Sequence, residues 1–214
     1  MADRYFGTYH RFKTASKDAG GALMSADNLV GGKFAIEFDH DGTAQVAWLA
    51  NPFGKRVGFF DPAFSRTLQV YAARGFTLVA VLSYVAFRNA PSPGEYFGEC
   101  AVMAYDPADA AAFDRFADAV AARMADGVRT KVDLGPEAAQ QVVGSEGAWL
   151  PKQTVPMPQA EDGVVVMKAR QSALDKVVEQ GRAGNKGCYV ASVAILVAVV
   201  AAVLLGIASC TGLL

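Results

Sequence analysis

The residues that most often carry chemistry are few in this chain of 214 residues, which has two histidines and three cysteines. His10 lies in a polar N-terminal segment and His40 in a predicted turn, so no Ser/His/Asp or Cys/His set can be assembled around them. Cys100, Cys188 and Cys210 are odd in number and widely spaced, which fits neither a disulfide framework nor a metal-ligand pattern. The sequence therefore assigns no catalytic residue, no cofactor and no metal ligand.

Three weaker patterns resemble parts of known functional motifs. Asp39–Gly42 (DHDG) looks like the start of a calcium loop, but the further oxygen ligands and the closing Glu do not follow, so it predicts a hairpin turn. The stretch 181–187 (GRAGNKG) lacks the spacing of a phosphate loop and predicts a flexible joint. Glu95 and Glu99 flank two aromatic residues near a loop, and the sequence alone leaves a carboxylate pair open there.

Length and charge narrow the class of protein. Residues 1–150 contain 14 Lys/Arg and 17 Asp/Glu, so this part is mildly acidic and long enough for one domain. Nucleic-acid binding needs a clustered basic face, which this balance does not supply on average, although a local patch stays open. The N-terminus has no apolar segment typical of a signal peptide, so we expect a reducing, cytosolic compartment.

The periodicity of apolar residues predicts an α+β domain. Asp61-Pro62 and Asp106-Pro107 each place a capping residue before a proline, which is typical of a helix start. The strands are runs of alternating or continuous apolar residues bounded by turn residues. We predict strands at residues 33–38, 44–50, 55–60, 76–87 and 97–105, and helices at residues 61–75, 106–127 and 136–143.

An apolar segment near the C-terminus predicts a membrane anchor. No charged residue occurs from Cys188 to Leu214, and the segment from Tyr189 to Ile207 is almost purely Ala, Val, Leu and Ile. As a helix this segment would be about 28 Å long, which matches the hydrocarbon thickness of a bilayer. The chain is therefore expected to cross the membrane once, at residues 188–208.

Flanking charge predicts the orientation of this helix. Positively charged residues stay on the cytosolic side of a membrane, and here they all precede the helix. The membrane-flanking basic residues are Lys168, Arg170, Lys176, Arg182 and Lys186. We therefore expect the N-terminal domain in the cytoplasm and a short far-side tail at residues 209–214, which is a single-pass, tail-anchored protein of the cell membrane.

Between domain and anchor, two segments are expected. Residues 1–145 form the cytosolic domain, and residues 146–163 contain three prolines and predict an extended linker. Residues 164–187 form a basic juxtamembrane segment, with a helix that begins at about Ser172. That helix is expected either to lie on anionic lipid headgroups or to act as a solvated spacer.

The stretch from Phe34 to Tyr105 resembles the HIRAN domain. The resemblance rests on residues 46–49 (VAWL), 51–54 (NPFG) and 55–60 (KRVGFF), and on a helix that ends in 74–76 (RGF). It covers about a third of the chain. It implies a small, partly open β-barrel and, as in DNA-repair enzymes of that family, binding of single-stranded DNA ends.

Three functions are consistent with these patterns. A membrane-localised module that binds a protein partner should show an exposed apolar patch. A membrane-tethered enzyme should show a pocket with convergent titratable groups. A HIRAN-like nucleic-acid-binding barrel should show a basic face with exposed aromatic side chains. The first is our main prediction; the lipid bilayer and a protein at the membrane are the expected partners.

Overall fold

A computed structural model describes residues 4–41, 44–90, 94–159, 161–173 and 175–176 of the chain. It has two compact units, Met1–Gln171 and Ser172–Leu214. The first unit is an α+β domain, as predicted. Its elements are β1 (Tyr5–Lys13), α1 (Lys17–Ala22), β2 (Lys33–Asp41), β3 (Ala44–Ala50), β4 (Arg56–Phe59), α2 (Pro62–Ala73), β5 (Thr77–Arg88), β6 (Glu95–Tyr105), α3 (Ala110–Ala125), α4 (Pro136–Gly144) and β7 (Val164–Lys168).

Six antiparallel strands close into a barrel in the order β2-β3-β4-β1-β6-β5, because β5 also pairs with β2. Most seams are long: β1 and β6 are in register from Tyr5↔Tyr105 to Lys13↔Phe97. The β1–β4 seam has a single pair, Lys13↔Phe59. The barrel is thus closed at one point on that side, and α2 packs beside the rest of the seam.

Local capping chemistry explains where the helices begin and end. The side chain of Asp61 accepts hydrogen bonds from the backbone N–H groups of Ala63 and Phe64, each at 3.0 Å, and Pro62 occupies the first turn. At the other end of α2, Gly75 has a φ of +81°. The Phe76 N–H there donates to the Tyr71 carbonyl, which closes a Schellman-type cap.

Strand β5 is buried on both of its faces along most of its length, so two apolar clusters lie on opposite sides of the sheet. On the inner side, Phe12, Leu49, Phe60, Leu68 and Cys100 form the barrel core with residues of α2. The outer side carries a second cluster, in which strand residues pack against α3 and α4. Its main members are Tyr5, Val81, Met103, Tyr105, Phe113, Phe116, Val120 and Met124.

The predicted strands and helices of residues 33–143 are confirmed with small shifts of their ends. Two regions differ from the prediction. The N-terminal segment is not an isolated polar stretch, because β1 pairs along its whole length with β6. His40 lies within β2, opposite Gln45, and not in the turn that follows.

Residues 146–168, assigned from sequence to a linker and to the start of the juxtamembrane segment, lie on the domain. Thr154 bridges to Thr130, and the Val155 N–H donates to the Arg129 carbonyl. Trp149 packs against the outer core. Prolines and polar residues predicted an unpacked chain here, but prolines also suit an extended segment whose neighbours supply the hydrogen bonds.

The second unit is described only at its start. The side chains and backbones of Ser172 and Asp175 exchange hydrogen bonds of 2.9 and 3.1 Å, and the Lys176 N–H donates to the Ser172 carbonyl. This reciprocal capping confirms a helix start at Ser172. The predicted membrane helix at 188–208 and the far-side tail at 209–214 lie outside the described residues. Among the residues that are described, no helix has the length and apolarity needed to cross a bilayer.

Candidate functional site: a polar groove and an open edge strand

His10 connects strand β1 to the start of helix α2. Its ring stacks on Phe64 with a centroid distance of 3.7 Å, and its Nε2 lies 2.7 Å from Oδ2 of Asp61. Burial raises the pKa of Asp61, but hydrogen bonds from His10 and from the backbone N–H of Phe64 outweigh it, so the pKa is lowered overall. Asp61 follows β4 and also caps α2. The His10–Asp61 contact therefore links β1 to the end of β4, where the two strands share a single residue pair.

Glu99 and Arg129 form an ion pair beneath the surface of the barrel, with only 8% and 5% of their side chains exposed. The guanidinium also lies over the ring of Tyr9, 4.4 Å from its centroid. Burial raises the pKa of Glu99, and the nearby guanidinium groups of Arg129 and Arg11 oppose this shift without cancelling it. The Tyr84 hydroxyl, 3.5 Å away, is a further neighbour of this carboxylate.

Glu95 and Glu99 both line one groove of about 450 Å³. The sequence alone does not exclude that they act as a carboxylate pair. Their surroundings differ, however. Glu95 is exposed and lies 3.9 Å from Arg88, whereas Glu99 is committed to Arg129. General acid–base chemistry needs a carboxyl group that reaches a substrate. The carboxyl group of Glu99 is not available to a substrate, because the guanidinium group of Arg129 covers it.

Two cations of the same groove are also paired. Arg11 and Arg88 both bind Glu161, with N–O distances of 2.9 and 3.0 Å. Their guanidinium carbons lie 5.4 and 5.5 Å from the centre of the Phe97 ring, which they cover so that the residue is 7% exposed. A single strand of nucleic acid needs accessible aromatic faces and net positive charge. In this groove the ring of Phe97 is covered, and the positive charges of Arg11 and Arg88 are balanced by carboxylates.

A second cavity, of about 810 Å³, lies between α3, α4 and the start of β1. Its lining is mainly apolar and includes Tyr5, Phe113, Leu134 and Val143. At its rim, Arg4 forms a 2.9 Å ion pair with Asp109. The cavity is suited to apolar contact, and its ionisable side chains pair with each other.

Strand β7 is the most exposed apolar element of the described domain. It pairs with the end of β5 from Arg88↔Val164 to Ala86↔Val166 and, after a register shift, at Val85↔Lys168, so Met167 has no partner in this ladder. This part of β5 lies beyond the residues that β2 occupies. Val165, Val166 and Met167 are 51%, 44% and 45% exposed. No strand pairs with the other side of β7 in the part of the chain that the structure describes. An open, apolar edge of this kind is a template for another strand.

The direction of the β7 peptide groups follows from its register. The Asn89 N–H donates to the Gly163 carbonyl at 2.9 Å, so Gly163 and, two residues on, Val165 face β5. The N–H and C=O of Val166 and the C=O of Val164 therefore point outward. The Val164 N–H is already bonded to the Glu161 carbonyl, at 3.0 Å.

The structure describes three of the five predicted membrane-flanking basic residues. Nζ of Lys168 donates to the carbonyls of Asn28 and Ser25, at 2.9 and 3.3 Å, so this cation ties β7 to the loop before β2. Arg170 is exposed and follows β7 directly. Lys176 belongs to the helix start of the second unit, while Arg182 and Lys186 lie outside the described residues, as does the glycine-rich stretch 181–187.

Sequence reasoning missed β7, although a signal for it is present. Asp162-Gly163 is a typical turn dipeptide, and the β-branched residues Val164–Val166 follow it. Within the described residues, no group of three or more His, Cys, Asp or Glu side chains is placed to hold a metal ion. Cys100 is buried in the barrel core, and burial raises the pKa of its thiol.

Comparison with known proteins finds no family model, no curated protein and no solved structure that matches this chain.

Proposed function

We propose that this chain is a single-pass membrane protein whose cytosolic barrel domain binds a protein partner by adding a strand to β7. The observation that carries the proposal is the open edge of β7, with three consecutive apolar side chains about half exposed. Main-chain hydrogen bonds to such an edge supply affinity, and alternate side chains supply selectivity. The outward N–H and C=O of Val166 are the groups that a bound strand would engage first.

The charges around β7 favour a polypeptide over a nucleic acid as the bound molecule. Exposed Asp162 precedes the strand and exposed Arg170 follows it, whereas Glu161 is neutralised by Arg11 and Arg88. The surroundings of β7 therefore carry both charge signs and lack the clustered positive charge that a phosphate backbone needs. A peptide needs no such cluster, because main-chain hydrogen bonds supply its affinity. The groove lined by Glu95 and Glu99 supports the enzyme and HIRAN-like alternatives less well, because Glu99, Arg11 and Arg88 are all held in ion pairs.

Membrane attachment rests on the sequence of residues 188–208, which is uncharged and long enough to span a bilayer. The basic residues that precede it favour a cytosolic barrel domain. Protease digestion of sealed vesicles of known orientation tests this topology. The barrel domain should be digested when the cytosolic face is outside and protected when it is inside; the reverse pattern would refute the proposed orientation.

The binding surface can be tested in native membranes with a photo-crosslinking amino acid placed at Val166 of the full-length chain. We expect covalent polypeptide adducts from this position. The matched control is the same amino acid at Phe53, which is 60% exposed on another part of the domain and should give none of these adducts. Adducts to lipid alone at position 166, with no polypeptide, would contradict the proposed function.

A further inference from the structure

We propose that the cavity of about 810 Å³ between α3, α4 and the start of β1 binds a neutral, mainly apolar small molecule with one hydrogen-bonding group at its end. The described lining residues belong to these elements and to the segments next to them, and not to β7. This ligand site is therefore additional to the protein-binding edge of the proposed function. Three features carry the inference: the face of α4 that lines the cavity, the aromatic part of its wall, and the paired charges at its rim.

Helix α4 turns one nearly apolar face to the cavity. Along this helix the spacing i, i+3, i+4, i+7 places residues on one side, and the residues at these positions all line the cavity: Pro136, Ala139, Gln140 and Val143. Val142 is fully buried and packs in the outer core instead. Helix α4 therefore carries apolar side chains beyond those that the core covers, and Val143 among them is 37% exposed.

Two aromatic rings form a fixed part of the cavity wall. The rings of Tyr5 and Phe113 stack with a centroid distance of 4.7 Å, and Phe113 stacks in turn on Tyr105 at 5.3 Å. The Tyr5 hydroxyl donates to the Val132 carbonyl, so this polar group is already used within the domain. A wall that is held by such contacts is formed before a ligand arrives, which lowers the entropy cost of binding.

The volume and the polarity of the cavity suit a small organic molecule. Small-molecule sites in proteins typically have volumes of about 300–1,000 Å³ and mainly apolar walls. Water in contact with apolar walls finds few hydrogen-bond partners, so its replacement by an apolar molecule is favourable. The apolar body of the ligand therefore supplies most of the binding free energy.

The rim of the cavity disfavours a charged ligand. Arg4 forms ion pairs of 2.9 Å with Asp109 and 3.5 Å with Asp106, and the Ala108 N–H donates to the other carboxylate oxygen of Asp106. An ammonium group would have to displace Arg4 from these aspartates, and a carboxylate would have to displace an aspartate from Arg4. A charge in the apolar part of the cavity would lose hydration without gaining a partner. A neutral molecule meets neither cost.

Gln140 is the side chain that can bind the polar end of the ligand. It lines the cavity, it is exposed, and its amide forms no hydrogen bond with the other residues that the structure describes. An amide offers both a donor and an acceptor, so it can bind a hydroxyl or a carbonyl group. The ligand class is therefore an uncharged molecule with an apolar body and a terminal hydroxyl or carbonyl group, such as a long-chain alcohol.

Photoaffinity labelling of the full-length chain in lipid nanodiscs tests the site. The probes are octyl chains that carry a diazirine and end in a hydroxyl, a carboxylate or an ammonium group, and labelling of α4 is measured relative to labelling of the nanodisc scaffold. The hydroxyl probe should label α4 saturably and in competition with unlabelled 1-octanol, and each charged probe should label it at least about tenfold less. Equal labelling by all probes, or labelling that 1-octanol does not compete, would overturn the proposal.

Matched variants locate the site. Gly144 lines the cavity and has nothing within 4 Å of an added Cβ, so Gly144→Phe should fill the cavity and reduce labelling by the hydroxyl probe at least about tenfold. Gly21→Phe has equally open space outside the cavity and should label like the wild type. Gln140→Leu should reduce labelling by the hydroxyl probe about fivefold and leave labelling by a plain alkyl diazirine unchanged. Wild-type labelling of Gly144→Phe, or capture of a polypeptide by a photo-crosslinking amino acid at Val143, would overturn the small-molecule site.

Discussion

Glu99 on β6 and Arg129, thirty residues further along the chain, form an ion pair that is almost completely buried beside the rings of Tyr9 and Tyr84. The pair attaches the segment after α3 to the outer face of the barrel. From Arg129 the chain continues along the barrel, where the Tyr9 and Tyr5 hydroxyls donate to the carbonyls of Thr130 and Val132 at 2.7 and 2.8 Å. The outer wall of the domain is therefore fixed by polar contacts that reach across the sequence.

Removing one member of this pair should destabilise the domain strongly. Glu99→Gln leaves a buried guanidinium without its counter-ion, and we expect a loss of about 3–5 kcal/mol in the free energy of unfolding. Adding Arg129→Met should recover part of this loss. Urea unfolding followed by tryptophan fluorescence measures it, with exposed Glu95→Gln as a control that should change stability by at most about 0.5 kcal/mol. Equal stability of Glu99→Gln and the wild type would contradict the role of the pair.

Close approach of two backbones makes Gly7 sensitive to substitution. A Cβ at this position would lie 2.1 Å from the Val132 carbonyl oxygen and 2.4 Å from the Tyr5 hydroxyl. Gly7→Ala should therefore push residues 130–132 off β1 and cost about 1–3 kcal/mol. Gly21→Ala is the control, because nothing lies within 4 Å of its Cβ and Ala favours the helix. Thermal unfolding should show a lower Tm for the first variant and an equal or higher Tm for the second.

The Asp61 carboxylate gives the domain an acid-sensitive component of stability. Because its pKa is lowered in the folded state, its contribution is fully present above its ordinary pKa of 3.8 and is lost as pH falls through the folded value. Asp61→Asn keeps a capping side chain but removes the charge, so its Tm should fall less steeply than that of the wild type below about pH 4. Parallel curves for the two proteins would show that the His10–Asp61 contact does not depend on this charge.

Proline substitutions in β7 distinguish its two sides. The N–H of Val165 faces β5, so Val165→Pro removes a ladder hydrogen bond and should cost at least about 1 kcal/mol in unfolding free energy. The Val166 N–H points outward, so Val166→Pro should leave the stability of the isolated domain nearly unchanged while it abolishes pairing at the edge. Hydrogen exchange of the Phe87 and Val85 region checks the first effect, and crosslinking in membranes checks the second. Equal destabilisation by both prolines would mean that the orientation of β7 is wrong.

Sequence reasoning predicted most of the barrel because its signals are local. Asp61-Pro62 and Asp106-Pro107 specify helix starts by contacts within one turn. The first and last strands escaped prediction because their pairing is not local: Tyr5 is in register with Tyr105, and β7 pairs with a strand about eighty residues earlier. No local rule links Glu99 to Arg129 either, since each is an ordinary charged residue until the fold brings them together.

The attachment of β7 to the barrel also sets how far the domain can stand from a bilayer. From sequence, residues 146–187 were expected to separate the domain from the anchor, a path of roughly 150 Å if extended. The folded unit instead continues to Gln171, so the chain between Gln171 and Tyr189 spans at most about 60 Å. In the proposed membrane-anchored chain, this shorter connection would reduce the largest distance between the folded unit and the bilayer from roughly 150 Å to about 60 Å. A partner of β7 would then have to come within that distance of the membrane.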